Sequence, residues 1–561
     1  MPGPTRNTPS PLHYRIEIGG LHAHLFHVTL TIAQPAALQR VSLPVWIPGS
    51  YLVREFSKNL QGLQAHQGSR TPIAVKQLDK CSWQIPCDPA KPLVLSYQVY
   101  ANDNSVRTAW LDAHRGFFNG TSLCLKVEGQ EKAPHALELP QPKAVSGWSV
   151  ATGLTARKIN KQGFGTYVAA DYDELVDCPV EMGPFWSGSF IARGVPHRFV
   201  VTGAAATFDG ERLLADTQKI CEAEIRFWHG SKRPPYKNYL FMLNAVDDGY
   251  GGLEHRNSTA LICTRKDLPR LGESKTAEGY TTLRGLISHE YFHTWNVKRL
   301  RPAELESYQY GSENYTELLW FFEGFTSYYD DLFLRRAGLL DNAAYLKLLN
   351  KTINQVMQTP GRLVQSVAEA SFDAWVKYYR QDENTPNATV SYYTKGALVA
   401  LCFDLTLRAE GRNAHGATLD DVMRALWLRC KAGPMHEADF AEALRAAGQR
   451  SFAPELARWV HGRGELPLKA LLEQHGVAVL EEPAQLAQRL GLRVSESQGL
   501  QIKTVLRGGV AERAGFAAGD EWLGLEPATS VRAKRASPAD AGWRMSRLDD
   551  LTLYAGTAQK V

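Results

Sequence analysis

His289-Glu290-Tyr291-Phe292-His293 reads H-E-x-x-H, and on a helix that spacing can do metal chemistry. Residues four apart share one helical face, so both imidazoles can reach a single cation. Glu290 then stands beside the open coordination position, where it can take a proton from a metal-activated water. Two histidines and a carboxylate base are the parts of a zinc hydrolase, provided a helix carries them and a third ligand completes the set.

The helix is legible in the apolar stripe Leu283, Ile287, Tyr291 and Trp295, widened by Leu286 and Phe292. Thr281 or Thr282 is expected to cap its start, and Pro302 lies beyond its end. The third ligand is expected from a second helix opened by Asn314 and Glu317 as a capping box and closed by Arg335, Arg336 and Gly338. On it, Glu323 is flanked by Trp320, Phe321, Phe322 and Phe325, where an uncompensated carboxylate would cost several kcal/mol. A zinc ion compensates that charge directly; a salt bridge to an arginine is the alternative. Ser327 and Asp330, one and two turns on, are candidates to orient a metal-binding histidine from behind.

A third segment, Gly251-Gly252-Leu253-Glu254-His255, follows the apolar run Tyr239 to Val246, which reads as a strand. Its glycines would let a substrate backbone approach an edge strand closely, with Glu254 offering a carboxylate at that edge. A tight turn with a surface glutamate is the competing reading. His255 could help to shape the same pocket.

These motifs together resemble the M61 glycyl aminopeptidases, gluzincins related to the M1 aminopeptidases. The resemblance rests on H-E-x-x-H-x-W continued through Asn296-Val297-Lys298-Arg299-Leu300-Arg301-Pro302, on Glu323-Gly324-Phe325-Thr326-Ser327-Tyr328-Tyr329, and on Leu43-Pro44-Val45-Trp46-Ile47-Pro48-Gly49-Ser50-Tyr51. It implies that His289, His293 and Glu323 bind one Zn2+ per chain and that Glu290 is general base and proton shuttle. It also implies that Glu254, with Gly251 and Gly252, holds the substrate's free α-amine. Ser391-Tyr392-Tyr393-Thr394-Lys395-Gly396 is similar to the Y-x-K-G element of the M1 group, which places the oxyanion-stabilising phenol at Tyr393, with Tyr392 one register away. The implied substrates are peptides with a free N-terminus and a small first residue, glycine or alanine. An endopeptidase sharing the zinc machinery, and a non-catalytic peptide-binding scaffold, are the alternatives.

The elements that must position these residues suggest a multidomain α+β chain. At 561 residues, two to four domains are expected, and the 44% hydrophobic and 22% charged fractions are those of a globular protein. Residues 1–180 read as a β-rich N-terminal domain, with alternating runs at Leu25 to Ile32, Leu93 to Tyr100 and Leu123 to Val127 and a boundary at Asp171 to Gly183. Residues 181–470 read as a thermolysin-like, mostly helical catalytic domain, in part through the resemblance. Residues 480–561 contain Gly509-Val510-Ala511-Glu512-Arg513-Ala514-Gly515-Phe516-Ala517-Ala518-Gly519-Asp520-Glu521-Trp522-Leu523, which looks like the core signature of a PDZ domain. It departs from the usual pattern at Pro527 to Ala541 and is expected to be a truncated version. In that fold a sheet edge takes up an extended peptide, so a peptide or protein ligand is a candidate partner.

A net charge of +5 over this length, with no basic run, sets nucleic acid aside as a partner. No apolar stretch is long enough to span a bilayer, and the first residues lack the pattern of a signal peptide. Eight cysteines without metal-type pairing are expected as free thiols in a reducing cytoplasm.

Overall fold

Alternation of buried and exposed residues builds the first strands. In Leu25–Ile32, Phe26, Val28, Leu30 and Ile32 turn inward while Leu25, His27, Thr29 and Thr31 do not. The computed structural model describes residues 11–68, 71–143, 145–410, 416–526 and 542–555. The chain divides into two compact units, one comprising Met1–Thr316, Thr326–Leu346 and Met423–Phe440, the other Glu317–Phe325, Lys347–Val422 and Ala441–Val561.

The first unit opens with a seven-stranded sheet ordered Thr155–Ile159, Gly165–Ala169, His135–Leu139, Leu12–Gly20, Leu25–Ile32, Leu93–Tyr100, Leu60–His66. Two four-stranded sheets accompany it, and one core containing Tyr14, Phe26, Leu95, Phe118 and Leu137 runs through this β-rich region. The expected strand at Leu123 to Val127 is shorter: Leu123 closes the helical turn Gly120–Leu123, and Lys126–Val127 alone pairs. Within the expected boundary segment, Val180–Gly183 still pairs with Gly116–Phe118 and Ser149–Thr152.

A five-stranded sheet follows, ordered Trp186–Ala192, Val195–Thr202, Tyr239–Val246, Ser258–Thr264, Gly251–Glu254. The crossover between the parallel strands Val195–Thr202 and Tyr239–Val246 carries the helix Gly210–His229. Gly251–Glu254 is antiparallel to Ser258–Thr264 and forms the sheet's edge. Against this sheet packs the helix Glu278–Phe292, through Leu283, Ile287 and the fully buried Tyr291. The helix starts a turn earlier than the threonines suggest. Ala277 is its cap without a side-chain bond, Glu278 lends its first turn a negative charge, and Thr281 and Thr282 bond back to the carbonyls of Ala277 and Glu278.

In the second unit, the helix Thr394–Glu410 is buried from Lys395 to Leu407 and lies against Leu319–Phe322. Their backbones touch: a Cβ on Gly396 would stand 2.6 Å from the Trp320 carbonyl oxygen and 2.9 Å from the Gly324 Cα. That close approach accompanies a correction to the expected second helix. Asn314 does not open it but braces a turn, accepting from the Gln309 backbone N–H and donating to the carbonyls of Gln309 and Ser312. Helix begins at Leu319–Phe322, is interrupted at Glu323 and resumes as Gly324–Arg336.

The last residues form two separate strand pairs, Leu492–Ser495 with Gln501–Val505 and Gly524–Leu525 with Trp543–Arg544, and a helix Asp550–Ala555 over a small core of Leu500, Leu525, Met545 and Leu548. The departure expected at Pro527 to Ala541 lies outside the described residues. The eight cysteines are free thiols, and among the described residues no helix is long and apolar enough to cross a membrane.

Candidate metal and peptide site

His289 and His293 end the helix Glu278–Phe292, where its last turn projects both rings on one side. His289 Nδ1 donates to Asp330 Oδ2 at 3.0 Å, and His293 Nδ1 donates to the Asn296 carbonyl at 2.8 Å. Neutral imidazole has one N–H, so with Nδ1 donating, Nε2 is the acceptor nitrogen of each ring. Those two atoms face each other at 3.1 Å. Lone pairs at that distance repel unless a cation lies between them. Two Zn–N bonds of about 2.0–2.1 Å at a tetrahedral angle would set them roughly 3.3–3.4 Å apart. Glu323, 2% exposed, supplies the third group, and ligand atoms of His289, His293 and Glu323 all lie within 4.8 Å of one another. Two imidazoles and a carboxylate are a donor set suited to zinc, and the geometry accommodates it.

The supports behind the histidines come from separate elements. Asp330 stands beside His289, as one of the two candidates from the sequence; among the described contacts Ser327 reaches neither histidine. Burial pushes the Asp330 carboxyl up from its ordinary value, and the bond from His289 pulls the other way. Ser288 Oγ donates to the Asp330 carbonyl at 2.9 Å and lies 3.0 Å from Glu224 Oε1. Burial holds Glu224 well above the usual carboxyl range, so in its neutral form it can donate to that same hydroxyl. Asn296 is aimed at His293 by a tight turn in which Val297, a β-branched residue, adopts φ 111. Sequence reasoning gave none of Asn296, Val297 or Glu224 a role; the Asn-Val-Lys run after the second histidine was the visible trace.

Glu290, 5% exposed, faces the edge strand Gly251–Glu254. A Cβ on Gly252 would lie 2.1 Å from Glu290 Oε1, so only glycine allows this contact. Arg107, which the sequence did not single out, donates from Nη2 to the Gly252 carbonyl at 3.1 Å. Side chains two apart on a strand share a face, so Glu254 projects on the side of Gly252, about 7 Å along. Glu254 is 4% exposed, and among the described residues no group donates a hydrogen bond to its carboxylate.

Behind Glu254 lies a buried charge cluster. Asp177 meets Lys298 Nζ at 2.7 Å and His255 Nδ1 at 3.3 Å, and accepts from the Arg256 backbone N–H at 3.0 Å. Burial works against charge on Asp177, but Lys298 and His255 outweigh it and hold the carboxyl well below its usual range. Burial likewise opposes the charge on Lys298, whose pKa is nonetheless raised by Asp177 and, more weakly, by Glu254. His255 thus ties the strand end to this cluster.

Tyr392 and Tyr393 precede the helix Thr394–Glu410 and stack on each other; Tyr393 also stacks on Tyr378, which Tyr392 meets at a tilt. Tyr392 is wholly buried, whereas Tyr393 is partly exposed. Burial first, and the charge of Glu323 next, push the Tyr393 phenol well above its ordinary pKa, so it stays protonated and able to donate.

Residues 13–184 match the family model described as the peptidase M61 N-terminal domain, and residues 282–399 match that of the M61 glycyl aminopeptidases. Among solved structures, the chain is similar to an aminopeptidase N family protein from Idiomarina loihiensis. Identity is 40%, the TM-score is 0.87, and the match covers 91% of this chain and 89% of that one. Legionella pneumophila aminopeptidase A, in complex with aspartic acid, shares the fold at 13% identity and a TM-score of 0.50, over 80% of this chain and 48% of that one. An M1 zinc metallopeptidase from Deinococcus radiodurans bound to a Tyr-Ser-Ala substrate matches at 14% identity and a TM-score of 0.49, over 82% of this chain and 94% of that one. Comparison with curated proteins gave no match.

Proposed function

The chain belongs to the M61 glycyl aminopeptidase family and is a metallopeptidase, and from that premise we propose that it is a zinc aminopeptidase releasing small N-terminal residues, glycine and alanine, from peptides. The observation that carries this reading is Glu254: a buried carboxylate to which no group among the described residues donates a hydrogen bond, on the same face of an edge strand as the glycine that touches Glu290. An α-ammonium held there would put the first peptide bond, and no later one, beside the base.

His289, His293 and Glu323 would hold the zinc, oriented by Asp330 and the Asn296 carbonyl. When bound, the metal supplies Lewis acidity, polarising the scissile carbonyl and making water acidic near neutral pH. Glu290 takes the proton from the attacking water and returns it to the leaving amine. Tyr393 donates to the oxygen on which negative charge develops. Gly251 and Gly252 bare the strand edge, so the substrate backbone can pair along it. We assign residues 1–180 to a β-rich domain, 181–470 to a thermolysin-like catalytic domain and 480–561 to a PDZ-like module whose sheet edge would take a peptide.

The test is hydrolysis of glycyl- and alanyl-p-nitroanilide beside their N-acetyl forms, with zinc assayed on the same sample. Chelator-sensitive cleavage confined to the free-amine substrates is expected. Efficient cleavage of the N-acetyl forms would replace this reading with an endopeptidase, and no cleavage at full zinc occupancy would replace it with a binding scaffold.

A further inference from the structure

We propose that Gly49, in the turn after Trp46, is a positioning residue that seats the Glu254 carboxylate for the substrate's α-ammonium, so that the β-rich N-terminal region completes the exopeptidase site. The inference rests on the reading of Glu254 given above. A Cβ built on Gly49 would stand 2.4 Å from Glu254 Oε2, 2.5 Å from Oε1 and 2.7 Å from Cδ. Near-equal distances to both oxygens place that point on the bisector of the carboxylate. Glu254 therefore points head-on at the place a Gly49 Cβ would occupy, and a single methyl group would drive it off. Gly49 also has φ 92, a conformation that further favours glycine.

The turn is built to hold its position. The Val45 backbone N–H donates to the Tyr310 carbonyl at 2.8 Å, and Trp46 Nε1 donates to the Gln309 carbonyl at 2.9 Å. Arg54 Nη2 donates to Ser50 Oγ at 2.9 Å, and Trp46 and Tyr51 stack while almost fully buried. On another side, Lys298 offers the carboxylate a favourable charge without a hydrogen bond. With its forward direction closed by Gly49, the carboxylate keeps its lateral lone pairs for a primary ammonium.

A double-mutant cycle tests the contact, using zinc-loaded full-length protein, glycyl-p-nitroanilide kinetics and thermal melts. Gly49→Ala should raise KM about tenfold or more with kcat little changed, since a charge-assisted bond to the substrate is weakened. Glu254→Asp retracts the acid by one methylene, so Gly49→Ala should add little loss in the Glu254→Asp background. Independent, multiplicative losses would show that the methyl acts through backbone strain, and would overturn the inference. Should Gly49→Ala alone fail to fold, recovery of a cooperative melt in the double variant supports the contact, and no recovery overturns it. If Glu254→Ala leaves the KM of free-amine substrates unchanged, the reading of Glu254 itself fails, a result separable from failure of the cycle.

Discussion

Asp330 is the group on which zinc retention should turn. Its Oδ2 accepts from His289 Nδ1 at 3.0 Å, with side-chain exposures of 17% and 13%, so solvent screens the pair only weakly. A hydrogen bond to a charged partner contributes about 1.5–3 kcal/mol and a neutral one about 0.5–1.5 kcal/mol. Asp330→Asn keeps an acceptor and loses the charge, a difference of about 1–1.5 kcal/mol, or roughly tenfold in zinc affinity. Asp330→Ala removes the acceptor and leaves His289 free to rotate or to take the other tautomer, for which a loss near 100-fold is expected. Zinc Kd is measured by competition with a chelating indicator, and activity is followed as free zinc is raised. Both variants should regain most of their turnover at saturating zinc, because Asp330 acts through His289 Nδ1, on the side of the ring away from the Nε2 that would take the metal. A zinc Kd within about twofold of wild type for both would refute the argument, since neither the charge nor the orientation would then matter.

The remaining expectations concern the base, the phenol and the buried ion pair. Glu290→Gln should lower kcat by about 10³-fold or more while binding zinc as wild type does; appreciable residual turnover would exclude it as the base. Tyr393→Phe should cost about 10²-fold in kcat with KM little altered, and Tyr392→Phe less than about threefold; the reverse order would move the role by one residue. Asp177→Asn leaves Lys298 buried without its carboxylate and should destabilise by about 3–5 kcal/mol in urea unfolding of the metal-free protein at pH 7. Because the folded protein holds the Asp177 carboxyl below its unfolded value, its contribution is complete above about pH 4 and fades as pH falls further. The gap between wild type and variant should therefore narrow at pH 3, and a constant gap would show that charge on Asp177 is not its origin.

What could be read from the sequence and what could not divide along a physical line. The helix Glu278–Phe292 announced itself through the buried stripe Leu283, Ile287 and Tyr291, a pattern written locally by its own 3.6-residue period, although Trp295, read as part of the same stripe, lies beyond the helix end. Gly251–Glu254 proved to be an edge strand, but its glycines fit a tight turn equally well, and only the resemblance to the M61 family favoured the edge. The failures are where tertiary contact overrides local chemistry. Thr281 and Thr282 look like caps, but burial of Tyr280 and Leu283 extends the helix past them to Ala277. Asn314 looks like a helix start but satisfies a turn, and the run to Glu323 is broken where Gly324 meets the Gly396 backbone.

The supporting contacts are harder still to read, because each joins residues remote in sequence that carry no local mark of their partner. Arg107 on Gly252, Asp177 on Lys298 and Gly49 on Glu254 are all of this kind. The residues that would do chemistry are thus declared by type and spacing, while those that aim them are declared only by the fold. That asymmetry has a mechanistic consequence. A base, a phenol and a ligand set are common to metallopeptidases that cut anywhere in a chain. Restriction to the first bond would come from Glu254, held between a charge cluster behind it and a glycine turn in front. Exopeptidase character would then be a property of the β-rich region and the catalytic helices acting together, and loss of Gly49 should weaken it while the zinc ligands and Glu290 remain in place.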